Sequence, residues 1–220
     1  MSPFPPLWLA AEIHRRLLRR GEYELPLRLK DIAKQVAALS NVHSISVKPV
    51  EVDAPLLGAA ALFLRSIDRK QPVVLRALGQ QRQAVLILHD KHMPALERRV
   101  AVCKEICQTY FSRLGETRAP QKSWTVTAGA ADLKNLLDSW VHFFGDGERH
   151  LLVPSGNTAL WAERYATLAA FEILFPYVER QIYFEAFLRR DISEGFFTPW
   201  IEIPEWAVTA MMSPAWYRGT

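Results

Sequence analysis

Residues 98–108 read Arg-Arg-Val-Ala-Val-Cys-Lys-Glu-Ile-Cys-Gln, and this stretch is the most informative part of the chain. Around it, apolar side chains recur at intervals of three and four residues: Leu96, Val100, Cys103, Cys107 and Tyr110. That period is typical of a helix with one buried face. We therefore predict a helix between residues 93 and 111.

The segments on either side predict further helices and a small sheet. Apolar side chains at helical intervals indicate helices over residues 7–20, 28–39, 159–190 and 204–212, with a break at Pro176. Alternating or short continuous apolar runs indicate strands over residues 45–52, 56–64, 72–77 and 84–88. A small mixed sheet packed on helices follows, so the expected fold class is α+β.

The size of the chain predicts one domain. It has 220 residues, 50% of them hydrophobic, which is enough to bury a single core over residues 1–220. Residues 114–158 differ from the rest because glycine and proline punctuate them, with one helical stretch at 131–144. We interpret 114–158 as an insertion within that domain.

Charge and apolar content disfavour several classes of protein. The formal net charge is +4, and the basic residues are spread along the chain except for a cluster at Arg15, Arg16, Arg19 and Arg20. This cluster is most simply a solvated helix face, so nucleic acid is a disfavoured partner. The first residues lack the layout of a signal peptide, and the longest apolar run, 56–64, is far shorter than the ~20 residues that cross a bilayer. We expect a cytoplasmic protein with no membrane partner.

Two blocks of sequence resemble a known family. Residues 98–108 resemble the stretch Arg-Arg-Phe-Thr-Leu-Ala-His-Glu-Leu-Gly-His of ImmA/IrrE-type metallopeptidases, and residues 163–176 resemble that family's Glu-x-x-Ala-Asn-x-Phe-Ala-Ala-Glu-Leu-Leu-Met-Pro block. Weaker agreement extends to the strand at 84–88 and to the tail at 203–214. The resemblance implies a zincin-like metallopeptidase fold with a helical insertion. It covers roughly residues 84–111 and 159–216.

The resemblance also assigns roles, and here the chain departs from the family. A zinc protease helix carries two imidazoles at i and i+4 with a glutamate general base at i+1, and a third ligand comes from a later helix. In this register Lys104 and Gln108 stand at the two histidine positions, Glu105 at the general-base position and Glu163 at the third-ligand position. A lysine ammonium has no lone pair and a glutamine carbonyl is a poor zinc ligand. The sequence therefore predicts no metal, no cofactor and a degenerate site.

Two hypotheses concern the side chains around this degenerate site. The Lys104 ammonium would occupy part of the former metal volume and pair with Glu163 or Glu105, the alternative being that Lys104 and Glu105 face solvent. The cysteine pair Cys103 and Cys107 has i, i+4 spacing, which is poor geometry for a disulfide. We expect both thiols to pack in the core, the alternative being a shifted metal site with His89 or His92.

The function expected from these observations is regulatory. The leading hypothesis is a pseudo-peptidase that binds a protein partner without cleaving it. The resemblance implies such a partner, because active members of the ImmA/IrrE family, in bacteria and often on mobile elements, are associated with cleaving helix-turn-helix repressors. The alternative is an active metal-dependent endopeptidase that holds zinc in a non-standard site and uses Glu105 as general base. A third hypothesis is nucleic-acid binding through the arginine cluster of residues 15–20.

Overall fold

In the computed structural model, the residues described are 4–50, 60–63, 84–90, 92–114, 134–135, 137–138 and 158–219. Two helices come first: α1 (Pro5–Arg19) and α2 (Leu29–Leu39). Proline stands at the first helical position of α1, where its missing N–H costs nothing. Both helices bury one apolar face, and both confirm the predicted segments 7–20 and 28–39.

Within the described residues, three strands form a mixed sheet with the order β1-β3-β2. They are β1 (Ser44–Val50), β2 (Ala60–Phe63) and β3 (Ala84–Asp90). The central strand β3 runs parallel to β1 and antiparallel to β2, and its side chains Val85 and Ile87 are buried. The strand predicted at 84–88 is confirmed, as are residues 45–50 of the one predicted at 45–52 and residues 60–63 of the one predicted at 56–64. The other residues of the last two predictions, and the strand predicted at 72–77, lie outside the described residues.

Two long helices form the centre of the molecule. They are α3 (Ala95–Leu114), which follows β3, and α4 (Thr158–Leu174). The two pack against each other more extensively than any other pair of elements, while α2 and the sheet contact α3 and α1 contacts α4. Every residue of α3 from Val100 to Cys107 is buried. A helix that is buried all round is a central element rather than a surface one.

Four shorter helices complete the chain: α5 (Tyr177–Leu188), α6 (Glu194–Ile201), α7 (Glu205–Met211) and α8 (Pro214–Gly219). Pro176 separates α4 from α5, as predicted, and α7 confirms the helix predicted at 204–212. The helices α6 and α8 were not predicted. Gly195 and Pro199 interrupt the helical pattern of α6, which is nevertheless held by the burial of Phe197 and Ile201.

These elements confirm the α+β class. Most of the insertion predicted at 114–158 lies outside the described residues. The positions of it that are described, namely 114, 134–135, 137–138 and 158, are helical. Among the helices that are described, none has the length and apolar character that crossing a bilayer requires.

Candidate functional site

The packing of α3 on α4 brings together three of the four predicted site residues. The Lys104 Nζ donates a hydrogen bond to Glu163 Oε1 at 2.8 Å and lies 3.5 Å from Glu105 Oε1. The side chains of Lys104 and Glu105 are 0% and 1% exposed, and that of Glu163 is 17% exposed. The predicted pairing of Lys104 is therefore present, and the alternative in which Lys104 and Glu105 face solvent is wrong.

The burial of this charge cluster has a physical requirement. Removing an ammonium from water costs several kcal/mol, which only close partners of opposite charge offset. Lys104 lies close to both carboxylates, and the partial exposure of Glu163 gives water access to that side of the cluster. The arrangement is thus a satisfied internal ion cluster whose open side is at Glu163.

Two threonine hydroxyls donate hydrogen bonds to the backbone carbonyls of the residues that carry the two carboxylates. Thr167 Oγ1 donates to the carbonyl of Glu163 at 2.9 Å, and Thr109 Oγ1 donates to the carbonyl of Glu105 at 3.3 Å. Each bond joins a residue to the carbonyl four positions earlier, a side-chain pattern that satisfies a hydroxyl inside a helix. Both hydroxyls are buried, so these bonds also remove a desolvation penalty.

The site does not fit a zinc ion. The Lys104 ammonium lies beside both carboxylates that would contribute oxygen ligands, and it has no lone pair to donate. Gln108 is half-buried one helical turn beyond Lys104, so it shares a face of α3 with it. Among the described residues, no group of three or more histidine, cysteine, aspartate or glutamate side chains is placed to hold a metal.

The two cysteines are core residues, as predicted. Both are free thiols with no exposed surface, and the Cys103 thiol points at the carbonyl of Ala170 with an S···O distance of 3.9 Å. Burial, together with the neighbouring Cys103 thiol, raises the pKa of Cys107 well above its ordinary value. A thiol that stays protonated is a poor metal ligand, and within the described chain neither His89 nor His92 joins the pair in a metal-binding group.

An arginine that the sequence did not single out fixes the beginning of α3. Arg99 donates to the carbonyl of Leu27 at 2.6 Å and lies 3.3 Å from a carboxylate oxygen of Glu202. Burial lowers the pKa of Arg99 below the ordinary arginine value. This residue ties the helix that carries Lys104 to the segment before α2 and to the end of α6.

A second buried ion pair lies at the far end of α4. Glu172 Oε1 accepts a hydrogen bond from Arg180 Nη1 at 2.7 Å and another from the Trp216 indole at 2.8 Å. Arg180 also donates to the carbonyl of Phe175 at 2.9 Å. Glu172 lies in the block at 163–176 that resembles the peptidase family, but no spacing in the sequence indicates that its carboxylate meets Arg180. This network joins α4 to α5 and α8.

His14 connects α1 to the end of α4. Its Nε2 donates to the carbonyl of Ile173 at 3.1 Å, so this carbonyl in the last turn of α4 is satisfied. Burial lowers the pKa of His14, although Glu172 and the carbonyl act in the opposite direction. His14 is accordingly a satisfied structural histidine.

Comparison of the chain with protein-family models, with curated proteins and with solved structures gives no match. The family resemblance therefore rests on the two sequence blocks. Of the four residues that those blocks align with a metal site, Lys104, Glu105 and Glu163 are neighbours at the contact between α3 and α4.

Proposed function

We propose that the protein is a catalytically inactive relative of the ImmA/IrrE-type metallopeptidases, with a zincin-like fold in which an internal ammonium replaces the metal. The observation that carries this proposal is the fully buried Lys104, 2.8 Å from Glu163 and 3.5 Å from Glu105. A metal at the same place would neutralise the same two carboxylates. The positive charge is retained while the Lewis acid is lost.

The chemistry of Glu105 supports loss of activity. A general base in a metallopeptidase takes a proton from a metal-bound water, so it needs both the metal and access to water. Here the Glu105 carboxylate is 1% exposed and faces an ammonium. Lysine cannot lower the pKa of a bound water as a coordinated metal does, because it has no vacant orbital to accept the oxygen lone pair.

The activity proposed in place of hydrolysis is binding. By the resemblance, the partner is a helix-turn-helix transcriptional regulator, bound in the cytoplasm of a bacterium and left intact. A fold that keeps its former recognition surface binds such a partner without cleaving it. The alternative is an active endopeptidase with a non-standard zinc site. Measuring the zinc bound to the purified protein distinguishes this alternative from the proposal.

The test is elemental analysis of protein purified without a metal-affinity tag, paired with a proteolysis assay against helix-turn-helix regulators of the source organism. We expect substoichiometric zinc and co-purification of a regulator that stays full-length. The matched variant is Glu105→Gln, which leaves retention of the regulator unchanged if no hydrolysis occurs. Stoichiometric zinc with proteolysis that chelation and Glu105→Gln both abolish would establish the active endopeptidase instead.

A further inference from the structure

An aromatic surface lies where α5 packs against α6. The ring of Tyr183 on α5 contacts both Phe196 and Trp200 on α6, with centroid distances of 5.5 Å and 5.6 Å. Phe196 is followed by Pro199 and Trp200 at three and four positions, so all three share a face of α6. Phe196 is 50% exposed, Pro199 is exposed, and Tyr183 and Trp200 are half-buried. We call these four residues the aromatic surface.

The buried ring of Phe197 fixes the aromatic surface to the core. It lies 5.6 Å from the ring of Tyr183 and 5.3 Å from the ring of Phe175, which has no exposed surface. At these distances neighbouring rings touch, so they leave no gap that could enclose a small cation. A ligand of this surface therefore lies across its outer side. Because the rings are already held in place, little side-chain entropy is lost when it binds.

Acidic side chains border the aromatic surface. The 27 positions of 191–217 contain no lysine or arginine, in a chain whose formal net charge is +4, and they carry four acidic residues: Asp191, Glu194, Glu202 and Glu205. A Cβ placed on Gly195, the residue before Phe196, would lie 3.6 Å from Glu205 Oε1. Glu194 Oε1 accepts a hydrogen bond from Thr209 Oγ1 at 3.0 Å, which holds that carboxylate beside α7 as well.

Cations compensate only two of these four charges. Arg189 pairs with Asp191 at 3.0 Å, and Arg99 lies 3.3 Å from Glu202. Arg190 is exposed, but it follows Tyr183 by seven positions, which is about 10 Å along a helix. Within the described part of the chain, the two carboxylates beside Gly195 form no ion pair. An excess of negative charge therefore lies next to Phe196.

We propose that the aromatic surface docks a basic segment of a partner protein and recognises arginine in it. A guanidinium stacks on an aromatic ring and donates paired hydrogen bonds to a carboxylate, and here Phe196 and Glu205 offer both kinds of contact side by side. Nucleic acid is disfavoured because its phosphates would meet the acidic border. A second copy of the chain fits less well, because two arginines of its cluster at 15–20 already bond to Glu12.

This inference rests on the proposed function, which requires a protein partner, and adds the chemistry of the partner's surface. Proteins that bind DNA contact its phosphates with arginine and lysine, so a helix-turn-helix regulator carries segments of the required kind. The aromatic surface includes none of Lys104, Glu105 and Glu163. Loss of docking in a zinc-free protein would thus overturn the surface and leave the pseudo-peptidase standing, whereas zinc-dependent proteolysis with intact docking would overturn only the pseudo-peptidase.

The probe is a fluorescein-labelled peptide of about 12 residues, up to roughly 40 Å long when extended, with arginine at every third position among alanine and serine. We expect the full-length protein to bind it in fluorescence anisotropy, with a dissociation constant that rises as salt is added. A peptide with lysine at the arginine positions should bind about two- to fivefold more weakly, because an ammonium lacks the planar fork of a guanidinium. A peptide with glutamate at those positions should not bind.

Substitutions at exposed positions separate stacking from charge. Phe196→Ser and Phe196→Leu should each weaken binding of the arginine peptide about two- to fivefold, and the second keeps an apolar side chain on α6. Glu205→Lys should weaken it at least about tenfold and reduce its salt dependence. The controls lie on other faces of α5 than Tyr183: Leu188→Ser, at a side chain 46% exposed, and Glu185→Lys, with the same change in net charge as Glu205→Lys. Both controls should bind like the parent protein.

Several outcomes would overturn the proposal. Absence of binding of the arginine peptide removes the surface outright. Equal binding of the arginine and lysine peptides, unaffected by either Phe196 variant, would show that charge alone attracts them. Equal weakening by Glu185→Lys and Glu205→Lys would show that net charge, not this surface, is responsible. A mass that grows with protein concentration, and no longer does so in either Arg19→Glu or Glu205→Lys, would assign the surface to a second copy.

Discussion

Lys104 is the residue on which the proposed loss of the metal depends. Its side chain crosses the packed contact between α3 and α4 and ends between two carboxylates. Within a buried ion cluster, removal of one partner is far more damaging than the net value of the pair, because the remaining charge stays buried without compensation. The Lys104 ammonium should therefore contribute strongly to the stability of the folded protein.

Lys104→Met keeps most of the side-chain length and removes the charge. We expect it to lower the free energy of unfolding in urea by about 3–5 kcal/mol, because Glu105 and Glu163 lose their shared cation. Adding Glu163→Gln should recover part of that loss, with a coupling free energy of about 0.5–3 kcal/mol. The control Lys34→Met, at an exposed position of α2, should change stability by no more than about 0.5 kcal/mol. A Lys104→Met variant as stable as this control would contradict the role of the ammonium.

Glu172 forms the second buried ion pair and allows an independent test. Glu172→Gln leaves the fully buried Arg180 without its carboxylate, so we expect a loss of about 3–5 kcal/mol in the free energy of unfolding. Trp216→Phe removes the indole N–H that bonds to Glu172 and part of a fully buried ring, so it should cost more than the about 0.5–1.5 kcal/mol of a single hydrogen bond. Glu185→Gln on the exposed face of α5 serves as the control. Equal effects of Glu172→Gln and Glu185→Gln would show that the pair is not stabilising.

These two ion pairs differ in how far sequence could predict them. The family pattern relates the two helices that carry Lys104 and Glu163, and it raises the hypothesis that Lys104 pairs with Glu163 or Glu105, with exposure of Lys104 and Glu105 to solvent as the alternative. Glu172 and Arg180 lie eight residues apart across Pro176, and Trp216 is 44 residues further from Glu172. No periodicity links such positions, since their meeting depends on how α5 and α8 fold back onto α4.

At the scale of elements, the attachment of α1 to α4 depends on the ionisation of His14. The folded state holds the imidazole neutral, with a pKa below the ordinary value of 6.5 because burial disfavours the charged ring. As pH falls through about 6.5, the unfolded chain takes up a proton that the folded chain does not. The free energy of unfolding therefore decreases with falling pH in that window, and His14 makes no contribution to this pH dependence well above it.

His14→Gln removes this titration while keeping an N–H donor for the carbonyl of Ile173. We expect the wild-type protein to lose more stability than His14→Gln when urea unfolding at about pH 8 is compared with about pH 5.5. His43→Gln, at an exposed histidine, should retain the wild-type pH dependence. If His14→Gln shows the same pH dependence as the wild type, the imidazole is not held neutral in the folded state.

Helices were predicted where their period was regular and missed where tertiary contacts override local sequence. The spacing of apolar residues located α1, α2 and α3 to within a few positions. It did not locate α6, where Phe197 packs against Phe175 and Tyr183 with ring centroids 5.3 and 5.6 Å apart. These aromatic contacts stabilise a helix that contains Pro199. A pattern of neighbouring residues in the sequence cannot predict such contacts, because they join residues of different helices.

At the scale of the whole molecule, sequence predicted the α+β class but not the strand order. Alternation within residues 45–52 and the continuous apolar run at 84–88 both indicate strands, but neither pattern tells which strand is central. The parallel pairing of β1 with β3 and the antiparallel pairing of β2 with β3 join residues far apart in the sequence, which a local pattern does not relate. The zincin-like architecture proposed above depends on this sheet leading directly into α3, which carries the charge cluster.

The central claim, that an ammonium stands in a former metal site, is tested most directly by restoring the imidazoles and measuring bound zinc. The variant Lys104→His/Gln108→His recreates the i, i+4 pair beside Glu163, and Lys30→His/Lys34→His places the same spacing on an exposed face of α2 as a control. We predict about one tightly bound zinc per chain in the first variant, loss of it on adding Glu163→Gln, and weak binding in the control and the wild type. Stoichiometric zinc in the wild type, or a folded Lys104→His/Gln108→His variant that binds zinc no better than the control, would contradict the account.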